Sequence, residues 1–550
     1  MIRSYFLASP KASLSYHSTL FAMKHIFFKV ISLCLIISAC SDPKEEVHSS
    51  GSSSQLSFSQ DYQKPAFVND QRAEKIKSIQ EEIRALMETY AEENHIPGIA
   101  YGIVVDDQLM VSDAVGYMNL EKQVPAKPTT DFRIASMTKS FTAVAIMKLR
   151  EEGKLALNDP VSDYIPEMAN ITYLTKDAPV IDIENLLTMT AGFPEDNPWG
   201  DRQLDESNQM LLDMISEGIT FSNVPSFQYE YSNTGFAMLG YIVSQVSGKP
   251  YQEYIQEEIL KPLGMNQTYW EIDEVPAEQL AIGYRWEDEE WKLEPMLHDG
   301  SFGAMGGLIT TIKDFSKYVS FHLSAWPPRN GKETGPLKRS SLREMQTPQF
   351  PRLNNNAKNY KEEPCPIVSG YGFGLGIYQN CEGQKWVSHG GALPGFGSNY
   401  VFYPEYGIGI MAFCNLTYTT PCPLQKIQQL LFDKLDLQTR ELPVSNILAT
   451  RKKQLEESFL KGENALQEKI FAENFFLDES RDHRIKEINL ALNEIGEINS
   501  VSEMSPQNQL RGTFRIQGEL KDIMIFFTLS PTKNAEIQQM LFAVVDKENQ

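Results

Sequence analysis

The sequence predicts an α+β fold, an antiparallel sheet flanked by helices, interrupted by a mainly helical insertion and followed by a small α+β module. Three observations carry this. Two strand-like runs, 98–105 and 109–111, meet at an Asp106-Asp107 turn near the start of the folded chain. Helical patterns then dominate until strand-like runs return at 371–378, 385–388, 398–403 and 408–413. From about Glu441 a new pattern begins, with helical periodicity over 447–476, strands at 510–516 and 523–529, and a helix expected from Asn534 onward.

At 550 residues the chain is long enough for more than one domain, and 42% hydrophobic with 11% aromatic content is the make-up of packed structure. The formal charge is −22, and the first 39 residues hold four basic residues and no acid, so the body is more acidic still. Such a surface excludes nucleic acid as a partner, which needs basic groups against phosphate.

The N-terminus reads as an export signal over 1–39. Met23-Lys24-His25-Ile26-Phe27-Phe28-Lys29 gives a basic start, residues 30–39 an apolar core too short to span a bilayer, and Ile37-Ser38-Ala39-Cys40 a small-residue end. Met23 is a candidate for the true start. That ending resembles a bacterial lipobox, which implies that Cys40 carries the lipid and becomes the first mature residue. Residues 40–73, polar and Ser-rich around 49–55, then read as a flexible tether. The expectation is a protein anchored by lipid in the bacterial cell envelope, on the periplasmic or outer-surface side. With Cys34 lost in the leader, Cys365, Cys381, Cys414 and Cys422 remain, and four cysteines allow three pairings. Their spacing fits no metal motif, and no metal or cofactor is expected.

The main domain is expected over 74–440 and the accessory module over 441–550. Residues 74–94 have the period of a helix, and the 98–111 hairpin follows. Arg133-Ile134-Ala135-Ser136-Met137-Thr138-Lys139-Ser140-Phe141 reads as the opening turn of a long amphipathic helix that stops at Gly153. Ser136 and Lys139, three residues apart, share one helical face. An amine beside a hydroxyl is one way to make serine nucleophilic at neutral pH, and unpaired N–H groups at a helix start suit a developing oxyanion.

Inside the insertion, 183–193 reads as a short helix closed at Gly192. Tyr231-Ser232-Asn233 reads as a loop before an apolar helix over 236–246, where a phenol and an amide can both face a cleft. The glycine-rich run 302–308 lacks a phosphate-loop lysine and a dinucleotide fingerprint, so close backbone packing explains its glycines. His389-Gly390-Gly391-Ala392 follows the 385–388 strand, where the glycines let another backbone approach. A helix over 424–435 closes the domain, and the C-terminal module resembles cystatin- or NTF2-like accessory modules in outline.

Ser136-x-x-Lys139, Tyr231-x-Asn233 and His389-x-Gly391, in this order and setting, resemble the serine β-lactamase/penicillin-binding-protein superfamily, in particular its class C and esterase-like branch, over roughly 75–437. The resemblance implies that Ser136 forms an acyl-enzyme. Lys139 and Tyr231 share the base role, a nearby ammonium favouring the phenolate. Asn233 hydrogen-bonds the substrate and orients Lys139. The N–H groups of Ser136 and Ala392 form an oxyanion hole, and His389 and Gly391 line the opposite wall. It also implies a small-molecule or peptidoglycan-like substrate: an ester, amide or peptide, D-amino-acid peptides and β-lactams included.

One departure matters. Many members have lysine at the third motif, where this chain has His389. Unperturbed histidine is mostly neutral at pH 7, which leans the expectation toward substrates less anionic than penicillin or a free C-terminal carboxylate. A catalytically silent envelope-binding or sensor protein on the same fold is the alternative, and intact Ser136, Lys139 and Tyr231 argue for the enzyme.

Overall fold

In the computed structural model, which describes residues 57–460, 466 and 469–547, the two ends of the main domain meet at the centre of one sheet. Gly98–Val105 pairs on one side with Gln108–Asn119 and on the other with Ile408–Cys414, in register from Ile99 opposite Cys414 to Val105 opposite Ile408. Beyond Ile408–Cys414 the sheet continues antiparallel through Phe396–Tyr403, Lys385–Leu393, Gly376–Gln379, Ile367–Tyr371 and Gln349–Asn354; Val124–Pro125 forms the other edge, giving nine strands. The insertion therefore leaves the sheet after its first hairpin and returns to it more than 200 residues later. The expected leader, Cys40 and most of the tether lie outside the described residues.

Alternation along the strands builds a core on each face. Ile99, Tyr101, Ile103, Ile408, Ile410 and Ala412 pack against helices from the two ends of the domain, through Ile76, Ile83, Met87, Ile427 and Leu431. Ala100, Val104, Tyr400, Met411 and Phe413 face the insertion and the helix Ile312–Leu323. That helix lies so close that a Cβ at Gly409 would sit 2.3 Å from Val319. Glycine is needed there for packing.

Several elements differ from expectation. The single helix over 74–94 is two, Arg72–Ser78 and Gln80–Glu93, broken at Ile79. The chain also joins the body before residue 73: Ala66 bridges to Glu441, and Phe67 lies under the guanidinium groups of Arg72 and Arg440. The expected strand over 371–378 is a hairpin, with Tyr371 opposite Gly376 and Gly374 at φ 68° in the bend. The Lys385 strand does not stop at Ser388 but runs on to Leu393. The closing helix is Leu424–Gln428, followed by a wider turn over Gln429–Lys434.

The C-terminal module has a core of its own, from Leu448 and Phe459 to Ile525, Phe527 and Ile537. Its last element is a strand, Ile537–Val545, paired along Asp522–Leu529, and not the helix expected from Asn534. The β-branched and aromatic residues near its end suit a pleated surface once a partner strand is present. A helix, Arg481–Ile495, and two short strands, Ile498–Val501 and Ser505–Asn508, complete it. Among the described residues no helix is long and apolar enough to cross a membrane.

Candidate active site

Ser136 stands in a tight turn, Ala135–Met137, that precedes the helix Thr138–Glu151, so it lies just outside the α-helix expected to carry it. Ala135 has φ 49°, a left-handed backbone that only a held turn maintains. The holding bonds are visible. The Ser398 hydroxyl donates to the Ile134 carbonyl at 2.7 Å, the Ile134 N–H to Leu308 at 3.0 Å, and the Leu308 N–H to the Thr138 hydroxyl at 3.2 Å. A Cβ at Gly391 would fall 2.2 Å from the Ile134 carbonyl oxygen. Gly391 is thus what lets the nucleophile's turn lie against the strand.

The helix behind Ser136 is not amphipathic over most of its length. Its first ten residues are all buried, packed by the helix Asn233–Ser247 and by aromatic rings such as Tyr318, stacked 3.7 Å from Phe141. Lys139 is fully buried there. Its Nζ lies 2.9 Å from Ser136 Oγ, 2.6 Å from Asn233 Oδ1 and 3.0 Å from the Met305 carbonyl. Burial pulls its pKa down to about 7, against the opposite pull of Asp201 and Asp196. This geometry decides what the amine can do. The two carbonyl oxygens can only accept, so they take two N–H groups. The remaining direction of a neutral amine is its lone pair, aimed at the Ser136 hydroxyl. Lys139 is arranged to accept that proton.

Met305 reaches the amine because the glycine-rich segment folds as a short helical turn, Gly303–Gly306, pressed against its neighbours; a Cβ at Gly240 would meet Ala304 at 2.3 Å. The glycines serve close packing, as expected, and the packed backbone also supplies an acceptor to Lys139.

Asn233 departs from its expected place and contacts. It is the first residue of its helix, capped by Ser232, whose hydroxyl accepts from Gly235 N–H. Its Oδ1 is on Lys139 and its Nδ2 points to Asn197 Oδ1 at 3.2 Å, so it orients the amine without facing the cleft. The asparagines that line the cleft are Asn197 and Asn399. Asp196 accepts from the N–H groups of Asn233 and Thr234, at 2.6 and 2.9 Å, where a carboxylate suits the helix dipole.

Tyr231 lines the same cleft as Ser136, and its ring centre lies 4.9 Å from Lys139 Nζ. The expected phenolate is not favoured. Burial raises the phenol well above its ordinary pKa, and the neighbouring Ser136 only partly opposes this. With the amine neutral, Lys139 no longer favours a phenolate, so Tyr231 stands as a proton donor.

On the opposite wall His389 is buried, its Nδ1–H donating to the Gly390 carbonyl at 2.5 Å and its Nε2 accepting from the Tyr371 hydroxyl at 2.9 Å. Burial and the proximity of Lys139 push its pKa down to about 3. It is a neutral ring. Ser136, Tyr231, His389, Gly391 and Ala392 all line one cleft of about 560 Å³, together with Asn197, Asp201, Tyr229, Tyr371, Tyr378 and Tyr418. Ser136 and Ala392, whose N–H groups the resemblance assigns to the oxyanion hole, thus border the same space.

Sequence reasoning missed the second set. Asn197 opens and Asp201 closes a one-turn helix, Asn197–Gly200, too short to show a period, and Tyr371 meets His389 only through sheet register. Tyr229 was within reach, two residues from Tyr231 along an extended chain. Of the four cysteines, Cys365 and Cys381 are bridged with Cα atoms 5.2 Å apart, and Cys414 and Cys422 are buried thiols.

A hydroxyl in a left-handed turn, a buried amine behind it and a phenol on the same cleft are thus set between an antiparallel sheet and a helical insertion. The chain belongs to the Beta-lactamase family, whose model matches residues 83–431. Among curated relatives, "Protein flp" of Staphylococcus aureus strain MW2 is 29% identical over 342 residues, 61% of this chain and 63% of that protein. "Beta-lactamase-like protein 2" of Dictyostelium discoideum is 27% identical over 371 residues, 66% of this chain and 63% of that one. The chain thus spans under two thirds of the length of these relatives. Two solved structures share the fold. An octameric penicillin-binding protein homologue from Pyrococcus abyssi has TM-score 0.52 at 24% identity, covering 85% of this chain and 96% of its own. EstCE1, a hydrolase with promiscuous acyltransferase activity, has TM-score 0.53 at 20% identity, covering 65% of this chain and 99% of its own.

Proposed function

We propose that the protein is a cell-envelope serine hydrolase acting on an ester, amide or peptide through a Ser136 acyl-enzyme. The observation that carries it is the Lys139 amine, 2.9 Å from Ser136 Oγ, with Asn233 Oδ1 and the Met305 carbonyl placed to accept its N–H groups. Ser136 Oγ attacks the substrate carbonyl carbon while its proton passes to Lys139. The developing oxyanion is met by the N–H groups of Ser136 and Ala392. As the carbonyl–heteroatom bond breaks, Tyr231 donates a proton to the leaving group and regains one from the Lys139 ammonium. Water then attacks the Ser136 ester, and its proton follows the same route, freeing the acid and restoring the serine.

The neutral His389 supports substrates without an essential carboxylate at the third-motif wall, since it offers no fixed cation there. Envelope location and a lipid on Cys40 belong to the same proposal. The leader reading supports them, as does the Cys365–Cys381 bridge, which suits an oxidising compartment. Lipid labelling of the full chain, lost in Cys40→Ser, is the expected outcome there.

The activity is tested with a serine-directed fluorophosphonate on the full chain. Labelling at Ser136 in the wild type and none in Ser136→Ala is expected. An unlabelled wild type, with its fold intact by circular dichroism, overturns the hydrolase reading in favour of a silent binding protein.

A further inference from the structure

We propose that Tyr229 and Tyr371 shut the cleft on its leaving-group side, so that the enzyme releases a small alcohol or amine from the end of a longer acyl group. The inference rests on the hydrolase reading and names the part of the substrate that must be small.

The strand Lys385–Leu393 gives the cleft a direction, and the groups of the site fall in order along it. The nucleophile's turn lies against Gly391, and Ala392 borders the cleft one residue further on. In the other direction stands His389, with the Tyr231 ring centre 6.4 Å from its own. The phenol that protonates the leaving group is therefore on the His389 side of Ser136. When Ser136 takes the acyl carbon and the carbonyl–heteroatom bond breaks, the departing alcohol or amine collects its proton there. The leaving group points to the His389 end, and the acyl group to the Leu393 end.

The two ends are built differently. At the His389 end the walls meet. Tyr229 from the insertion and Tyr371 from the sheet have ring centres 5.5 Å apart, in contact across the cleft, and the Tyr371 hydroxyl donates to His389 at 2.9 Å. Tyr229 is latched from outside the cleft. Arg352, on the outermost strand of the sheet, donates to its carbonyl at 2.6 Å and holds the guanidinium 5.3 Å from its ring centre. Arg352 stands opposite Ser369 and Tyr371 opposite Gln349, so latch and facing ring come from one pair of strands. On the insertion side the loop bearing Tyr229 is tied down around it, Ser226 N–H on the Thr190 carbonyl at 2.8 Å and Glu230 N–H on that of Met189 at 2.9 Å. At the Leu393 end the wall is the loop after Ile408–Cys414, where Tyr418 is 47% exposed and Thr420 is exposed as well. A closed wall faces the leaving group, and an exposed rim faces the acyl chain.

The test reads thiol release by the full chain from thioesters, the thiol standing in for the alcohol. The parent compound joins a short acyl group to 2-methoxyethanethiol, and an uncharged oligo(ethylene glycol) chain then lengthens the thiol side, the acyl side or both. Lengthening the thiol should cost about 30-fold or more in kcat/KM, and lengthening the acyl group less than about threefold. Tyr229→Ala should bring the thiol-side cost down to about threefold, and Arg352→Ala should lower it part of the way. Each cost is a ratio within one variant, so a slower chemical step divides out. An acyl-side cost as large as the thiol-side one, or a thiol-side cost unmoved in Tyr229→Ala, overturns the closed end and leaves the hydrolase reading standing. So does failure to turn over even the parent thioester when a fluorophosphonate still labels Ser136. Neither turnover nor labelling overturns both.

Discussion

Asp131 and Lys139 are eight residues apart, on either side of the nucleophile's turn, and neither side chain has any solvent exposure. Both lose hydration, and burial moves each toward its neutral form, with pKa values near 7. Their surroundings then diverge. Lys139 Nζ has three oxygen partners, while among the described residues neither Asp131 carboxylate oxygen has a hydrogen-bond partner, and Asp314 nearby raises its pKa further. The contrast separates a buried charge kept for chemistry from one the fold tolerates. A neutral amine with two N–H groups fixed still offers a lone pair. A neutral carboxyl with no partner offers nothing to a substrate.

The largest effect expected from breaking this contrast is at the amine. Lys139→Met fills much the same volume, removes the amine that touches Ser136 and should slow acylation about 10³-fold or more, read as the labelling rate under single-turnover conditions. Retained labelling within tenfold of wild type would show that another group takes the serine proton. Asn233→Ala leaves the amine in place but deletes one of its two guides. A loss of about 10- to 100-fold in kcat/KM is expected, most of it in kcat, because the residue orients Lys139 and does not line the cleft.

At Asp131 the effect should fall on stability. Its pKa is higher folded than unfolded, so the folded state binds more protons between about 4 and 7, and stability declines as pH rises through that window. Asp131→Asn removes the ionisable group. It should gain about 2 kcal/mol over wild type at pH 8, much less at pH 4, with kcat little changed. Thermal melts at the two pH values check this, and an equal shift at both would mean that ionisation is not the cause.

How legible the site was follows from distance along the chain. Ser136 and Lys139 were readable because helical spacing puts them on one face, and the chain brings both to contact although the serine itself precedes the α-helix. Tyr231, His389, Gly391 and Ala392 come to the same cleft in the order that the resemblance implied. Spacing could not say which side of Asn233 faces the substrate, because that depends on Asn197 and Lys139 arriving from two other segments. Nor could it give the charge state of Tyr231, which burial sets. The sheet's first hairpin and its return were visible as alternation, but not the bend at Gly372–375 or the final strand, whose partners are remote in sequence. Local pattern gave the pieces; register and burial assigned their work.

The smallest effect sharpens the comparison most. If the neutral amine is the base, kcat/KM for an uncharged ester should fall on the acid side as Lys139 takes up a proton, with the limb near pH 7. Asp201 is the strongest of the carboxylates that favour the ammonium form. Asp201→Asn removes that pull, so the amine should stay neutral to lower pH and the limb should move down, by about half a unit to one unit. Asp131→Asn is the control, since Asp131 is not among the groups acting on Lys139, and its limb should stay where the wild type has it. A limb that moves up in Asp201→Asn, or one that moves equally in both variants, would mean that the titrating group on the acid side is not the lysine behind Ser136.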